Sequence, residues 1–224
     1  MVLKIDSILK SYGEKKILRS VNLACDKHKV TGILGRNGSG KSTLLQIISG
    51  NLSTEHKYVC ADEQVLLKQS DIAKYLVYLP QDCSLPRNET VDTILKLSLD
   101  RIAYQKWSNT APFNKLIDAK CKHLSTGEQR MLEICCVLAN PAPYALLDEP
   151  FNGLSPLLRD EVSSLIKQST ATKGILITDH DYRNVLRVSD KLYGLTNGIS
   201  KEIEQSKQLI QLGYLPTSEL GLLD

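Results

Sequence analysis

The sequence predicts an α/β fold: a mostly parallel core sheet with helices on both faces, led by an N-terminal antiparallel β segment and interrupted by an inserted helical subdomain. Three observations predict it. Strand-like and helix-like segments alternate through the second half of the chain, which implies parallel strands joined by helical crossovers. A glycine-rich stretch at 35–40 sits between a short apolar run and a helical pattern. The chain has 224 residues, 42% apolar and 24% charged, enough for one domain with a buried core and too apolar for a disordered chain.

Taken in order, residues 2–6 and 16–24 read as strands around a Tyr12-Gly13-Glu14 turn. Residues 30–34 form a short apolar strand entering the glycine-rich loop, and a helix follows at 41–49. A strand at 75–79 stops at Pro80. Residues 82–122 read as loops with short helices at 91–99 and 113–119. A long amphipathic helix at 125–140 is ended by Pro141 and Pro143. Strand 144–148, helix 156–168, strand 174–178, helix 181–188 and strand 191–195 complete the alternation. The expected layout is a catalytic core at 1–81 and 124–200, a helical subdomain at 82–123, and a C-terminal helix and tail at 201–224.

Composition limits the partners and the compartment. A formal net charge of +3 argues neither for nor against nucleic acid. A dedicated DNA-binding domain is usually more basic, with clustered charge, and no nucleic-acid partner is expected. No segment reaches the roughly 18 consecutive apolar residues of a membrane span. The N-terminus has neither a long apolar run nor a small-residue cleavage site, so a cytosolic protein is expected. The six cysteines (25, 60, 83, 121, 135 and 136) form no C-x-x-C pair. They read as small buried hydrophobes rather than zinc ligands. Cys135 shares an apolar helical stripe with Met131, Ile134 and Leu138.

Two motifs carry chemistry. Gly35-Arg36-Asn37-Gly38-Ser39-Gly40-Lys41-Ser42 matches G-x-x-x-x-G-K-[ST] at every fixed position, the mark of a P-loop NTPase. Its glycines let backbone N–H groups turn inward onto phosphate oxygens, and the helix opening at Lys41 adds the positive end of its dipole. Lys41 offers a cation to the β- and γ-phosphates. The Ser42 hydroxyl is a hard oxygen suited to Mg²⁺; Thr43 follows it at the loop's end. The second motif, Tyr144-Ala145-Leu146-Leu147-Asp148-Glu149, is an apolar strand ending in two acids. Asp148 can hold Mg²⁺, directly or through water. Glu149 points elsewhere and can polarise a water for attack on the γ-phosphate. Alone, such a strand end is often a solvated loop; beside a phosphate loop it reads as a site.

A third motif narrows the class. Leu124-Ser125-Thr126-Gly127-Glu128-Gln129 resembles the signature of ABC ATPases, usually written LSGGQ, and lies shortly before the acidic strand, as in that family. Ser125 and Glu128 are spaced as a capping box, and without the family context the stretch is simply a well-capped helix start. Other residues fall in the family's order. Tyr12 resembles the aromatic that stacks on adenine. Gln81 resembles the glutamine that senses Mg²⁺ and the attacking water. His180 resembles the histidine that contacts the γ-phosphate. The resemblance covers roughly residues 1–200. Two positions depart from it: Thr126 replaces the first signature glycine, and Ser155 stands where the family usually has an Asp that links the two subunits. Ser155 can still cap a helix starting at Pro156.

The resemblance implies an ATP-hydrolysing transport subunit. Two chains, a homodimer or a paired ABC subunit, would pack head to tail and sandwich ATP between the phosphate loop of one and residues 125–128 of the other. It implies Glu149 as base, Lys41 and His180 as charge stabilisers, and Ser42, Gln81 and Asp148 around Mg²⁺. An integral membrane permease would dock on the helical subdomain and the Gln81 loop, placing the chain on the inner face of the membrane. The alternative is a soluble ATPase of the iron–sulfur assembly type. Residues 146–151 and 177–180 also look similar to lipopolysaccharide-export and branched-chain amino-acid ATPases.

Overall fold

A computed structural model describes residues 1–110, 113–204 and 208–209. The strands are β1 (Val2–Tyr12), β2 (Lys15–Asp26), β3 (Val30–Leu34), β4 (His56–Ala61), β5 (Gln64–Val65), β6 (Leu76–Leu79), β7 (Tyr144–Asp148), β8 (Gly174–Thr178), β9 (Lys191–Thr196) and β10 (Ile199–Ile203). The helices are α1 (Lys41–Ile48), α2 (Gln69–Tyr75), α3 (Val91–Ser98), α4 (Arg101–Ser108), α5 (Phe113–Leu116), α6 (Thr126–Ala139), α7 (Pro156–Ser169) and α8 (Tyr182–Val188), with a 3₁₀ turn at Cys121–His123.

The strands lie in the order β5-β4-β1-β2-β10-β9-β3-β8-β7-β6. The stretch β9-β3-β8-β7-β6 is parallel throughout, while β1, β2, β4 and β5 pair antiparallel. The expected division into a parallel core and an antiparallel N-terminal segment is therefore present.

The central strands are buried on both faces, which is why they read as unbroken apolar runs. Ala145, Leu147, Ile175 and Ile177 face a core built with α6, α7 and α8. Leu146, Leu176 and Ile33 face a second core against α1 and the antiparallel strands. The phosphate loop thus emerges at the C-terminal edge of a sheet that is clamped from both sides.

Several expectations need correction. β1 runs to Tyr12 rather than ending at residue 6. Its alternation breaks because a register shift between Ile5 and Ile8 places Ser7 at φ 54°, so Ile5 and Ile8 are both buried although three residues apart. Tyr75 belongs to α2, and the strand begins at Leu76. β4, β5, α2, α4 and β10 were not anticipated. α4 fully buries no residue; its inner face is only Tyr104 and Trp107, half-buried against the core, too short a stripe to read. Residues 201–203 are strand, not the start of a C-terminal helix; most of the expected helix and tail at 204–224 lies outside the described residues. Cys83 is exposed and Cys136 only half-buried, so the reading of all six cysteines as core holds for four.

Candidate nucleotide site

The site begins with β3, whose five residues are all buried. Leaving the sheet, the chain curls through Gly38 at φ 76° and Gly40 at φ 102°, left-handed positions that favour glycine. Space is also limiting at Gly40: a Cβ there would approach Ile17 and Leu18 side-chain carbons to 2.9 Å. Gly40 is the N-cap of α1 with no side-chain cap, so the first amides of α1 face the cleft without an intramolecular side-chain acceptor, the arrangement that suits an anion. The Ser39 hydroxyl is buried with no partner.

Lys41 is 6% exposed. Its ammonium lies over the loop, 2.7 Å from the Gly35 carbonyl oxygen and 3.4 Å from that of Arg36. Burial lowers its pKa, and Glu149, Asp148 and Asp179 oppose that shift. A phosphate would supply the anionic contact that these neutral carbonyls replace.

Behind the loop, Asp148 is fully buried and held by three hydroxyl donors: Ser42 at 3.1 Å, Thr178 at 2.9 Å and Tyr78 at 3.1 Å. Burial and the adjacent carboxylate raise the Tyr78 pKa and keep the phenol a donor. Ser42 Oγ and Asp148 Oδ1 are hard oxygens in contact, the donor chemistry that Mg²⁺ prefers beside nucleotide phosphates.

Glu149 does turn away from its neighbour. At φ 49° it leaves the strand in the left-handed region, a strained conformation for a non-glycine residue. Its carboxylate accepts a 3.1 Å bond from Gln81 Nε2 and lies 3.6 Å from His180 Nδ1. His180 is also 3.5 Å from Asp179, a buried carboxyl whose pKa burial raises.

Tyr12, Asn37, Gly38, Gly40, Lys41, Ser42, Thr43, Gln81, Glu149 and His180 converge with Ile17 on one cleft of about 420 Å³. Gly35 and Asp148 support it from behind. Tyr12 is half-exposed, with the Lys10 ammonium 5.1 Å from its ring centroid.

Residues 125–128 do not line this cleft. The capping box is formed: Ser125 Oγ accepts from the Glu128 N–H at 3.3 Å, and the Glu128 carboxylate accepts from the Ser125 N–H at 2.8 Å. Gly127 packs against Gly153, Leu154 and Leu158, and the Thr126 methyl sits 3.2 Å from where a Cβ on Gly153 would lie. Ser155 caps α7, accepting from the Leu158 N–H at 3.4 Å, with Pro156 in the first turn.

Sequence reading missed Tyr78, Thr178 and the buried pair Arg130–Glu133. The pair had a signal: two opposite charges, i and i+3, within the apolar run of α6.

Fold and cleft together define a phosphate-loop nucleotide-binding protein. Residues 18–152 match the family model described as "ABC transporter". The lipopolysaccharide export system ATP-binding protein LptB of Acidithiobacillus ferridurans is 31% identical over 88% of this chain and 87% of its own. A probable ABC transporter ATP-binding protein of Azorhizobium caulinodans is 29% identical over 85% and 73%. Among solved structures, an ATP-binding subunit of an ABC transporter superposes with TM-score 0.81 at 21% identity, covering 99% of this chain and 98% of that one. A nucleotide-free ATP-binding cassette from an ABC transporter gives 0.79 at 23% identity, covering 99% and 98%. The chain belongs to the ABC transporter family, as its ATP-binding subunit. None of these relatives is described as a cluster-assembly protein, and the iron–sulfur alternative receives no support.

Proposed function

We propose that this subunit hydrolyses ATP, with Glu149 as the base that orients and deprotonates the attacking water. The observation that carries the reading is the convergence of Gln81, Glu149 and His180 at the mouth of the cleft that holds Lys41. Water would attack the γ-phosphorus, its proton passing to Glu149 as the bond to the β-phosphate oxygen breaks and ADP leaves. Lys41 would balance charge on the β- and γ-phosphates, and His180 would hydrogen-bond the γ-phosphate. Ser42, Asp148 and Gln81 would hold Mg²⁺, which supplies further charge neutralisation when bound.

The cleft is open and lacks residues 125–128. We infer that a second copy, or a paired ABC subunit, brings them in a head-to-tail dimer that closes around ATP. The core at 1–81 and 124–200 would carry the chemistry. The helices within 82–123, with the Gln81 loop, would dock on an integral membrane permease. Among the described residues no helix is long and apolar enough to cross a membrane, so the transport path would belong to that partner. The chain would then sit on the cytoplasmic face of the membrane.

Glu149→Gln tests the chemistry. It should bind ATP as the parent does and turn over roughly 10²–10⁴-fold more slowly, the usual loss of a general base. Turnover equal to the parent would remove Glu149 from the mechanism.

A further inference from the structure

We propose that Arg130 is a positioning residue for hydrolysis, acting through the backbone that carries both Glu149 and Gln81, with Glu133 as its buried counter-charge. This rests on the reading of Glu149 as the base.

Arg130 is 5% exposed and Glu133 3% exposed, both on α6. One guanidinium nitrogen, Nη2, donates to the carbonyl of Asp148 at 2.6 Å and to that of Glu149 at 3.0 Å. The other, Nη1, donates to the carbonyl of Pro80 at 2.7 Å and to Glu133 Oε2 at 3.2 Å. Glu133 Oε1 in turn accepts from the Ser84 N–H at 2.6 Å and the Ser84 hydroxyl at 3.0 Å.

Two segments that are far apart in sequence are thus fixed by one planar group. Pro80 directly precedes Gln81, and Asp148 directly precedes Glu149. The two carbonyls flanking the strained φ of Glu149 are the ones that Arg130 takes. Releasing them would leave this turn held only by the Glu149 N–H bond to the Thr178 carbonyl and the Asn152 N–H bond to the Glu149 carbonyl, loosening the left-handed conformation that sets the Glu149 carboxylate against Gln81. Ser84 anchors the far end of the Gln81 loop to the same helix.

A buried ion pair is a poor device for stability alone, since an apolar pair of similar volume is often as stable or better. The rigid fork has a use that a lysine cannot match: it presents two nitrogens in one plane to carbonyls on two segments. The geometry therefore points to alignment of the base and its glutamine rather than to packing.

The test compares Arg130→Lys, Ser84→Pro and the double variant Arg130→Met/Glu133→Leu with the parent and with Glu149→Gln. Thermal unfolding, ATP affinity, kcat and KM are measured for each. Arg130→Lys keeps the charge pair. It should keep the melting temperature and ATP affinity close to the parent's while kcat falls at least roughly 10-fold. The double variant should bind ATP and lose roughly 100-fold in kcat, the scale of a 1 Å misplacement. Its crystal structure should show the Gln81–Glu149 contact broken.

Parental kcat in Arg130→Lys, or an unaltered contact in the double variant, would overturn the proposal. Should the double variant not fold, Ser84→Pro, at an exposed residue, decides alongside Arg130→Lys: it removes the N–H donor to Glu133 and should lower kcat without changing ATP affinity. Full turnover in Glu149→Gln would instead strike the hydrolysis reading itself. An inactive Glu149→Gln beside a fully active Arg130→Lys would strike only the positioning role.

Discussion

On the function proposed above, Lys41 is tuned for a ligand. Its ammonium is buried, and its bonds in the loop are to neutral carbonyls. A charged hydrogen bond of this kind is worth about 1.5–3 kcal/mol. Lys41→Ala should therefore weaken ATP binding by roughly 10- to 100-fold in equilibrium titration; unchanged affinity would remove Lys41 from the phosphate site. Lys41, Ser42, Asp148 and Glu149 were legible in the sequence because short motifs fix both their spacing and their strand or helix context. Tyr78 and Thr178 were not. Each is a single polar residue near a strand end, and only the β6-β7-β8 pairing brings both to Asp148.

At the scale of elements, α6 does more than fill the core. Its N-terminus carries the capping box, and its buried face carries Arg130 and Glu133. Ser125→Ala removes the cap and should cost about 1 kcal/mol of stability, read from denaturant unfolding. A loss well above ~2 kcal/mol would mean that Ser125 supports more than the helix end. Ser155 caps α7 as its sequence position suggested, so Ser155→Asp should be accommodated at the cap, with unfolding midpoint close to the parent's. The far end of α6 holds a different device. Lys173 is buried and donates to the carbonyls of Asn140 and Ala142. Burial lowers its pKa from 10.5 to about 8. Between those values the unfolded chain binds more protons than the folded one, so this residue makes stability rise with pH across that window. Lys173→Met should flatten the rise; an unchanged pH slope would show that the group is not titrating there. Element boundaries were legible where caps and prolines mark them, as at Ser125, Pro156 and Pro80. They were illegible where a register shift broke the alternation, as in β1, or where a short helix packs only half-buried side chains on the core, as α4 does with Tyr104 and Trp107.

On the function proposed above, the molecule as a whole offers half of a nucleotide site. Its parallel sheet delivers Lys41, Asp148, Glu149 and His180 to one edge, and that much followed from the order of motifs. Residues 125–128 stand apart from the cleft on the same chain, pressed against the loop before α7. Neither spacing nor composition reveals that separation, since it depends on how α6 lies across the sheet.

Sedimentation of Glu149→Gln with and without Mg²⁺ and ATP examines this arrangement at its foundation. The variant should be monomeric alone and become a dimer when ATP is added, and Ser125→Arg in the same background should abolish the dimer. A Glu149→Gln chain that binds ATP yet stays monomeric at every protein concentration reached, or a dimer indifferent to Ser125→Arg, would contradict the shared site.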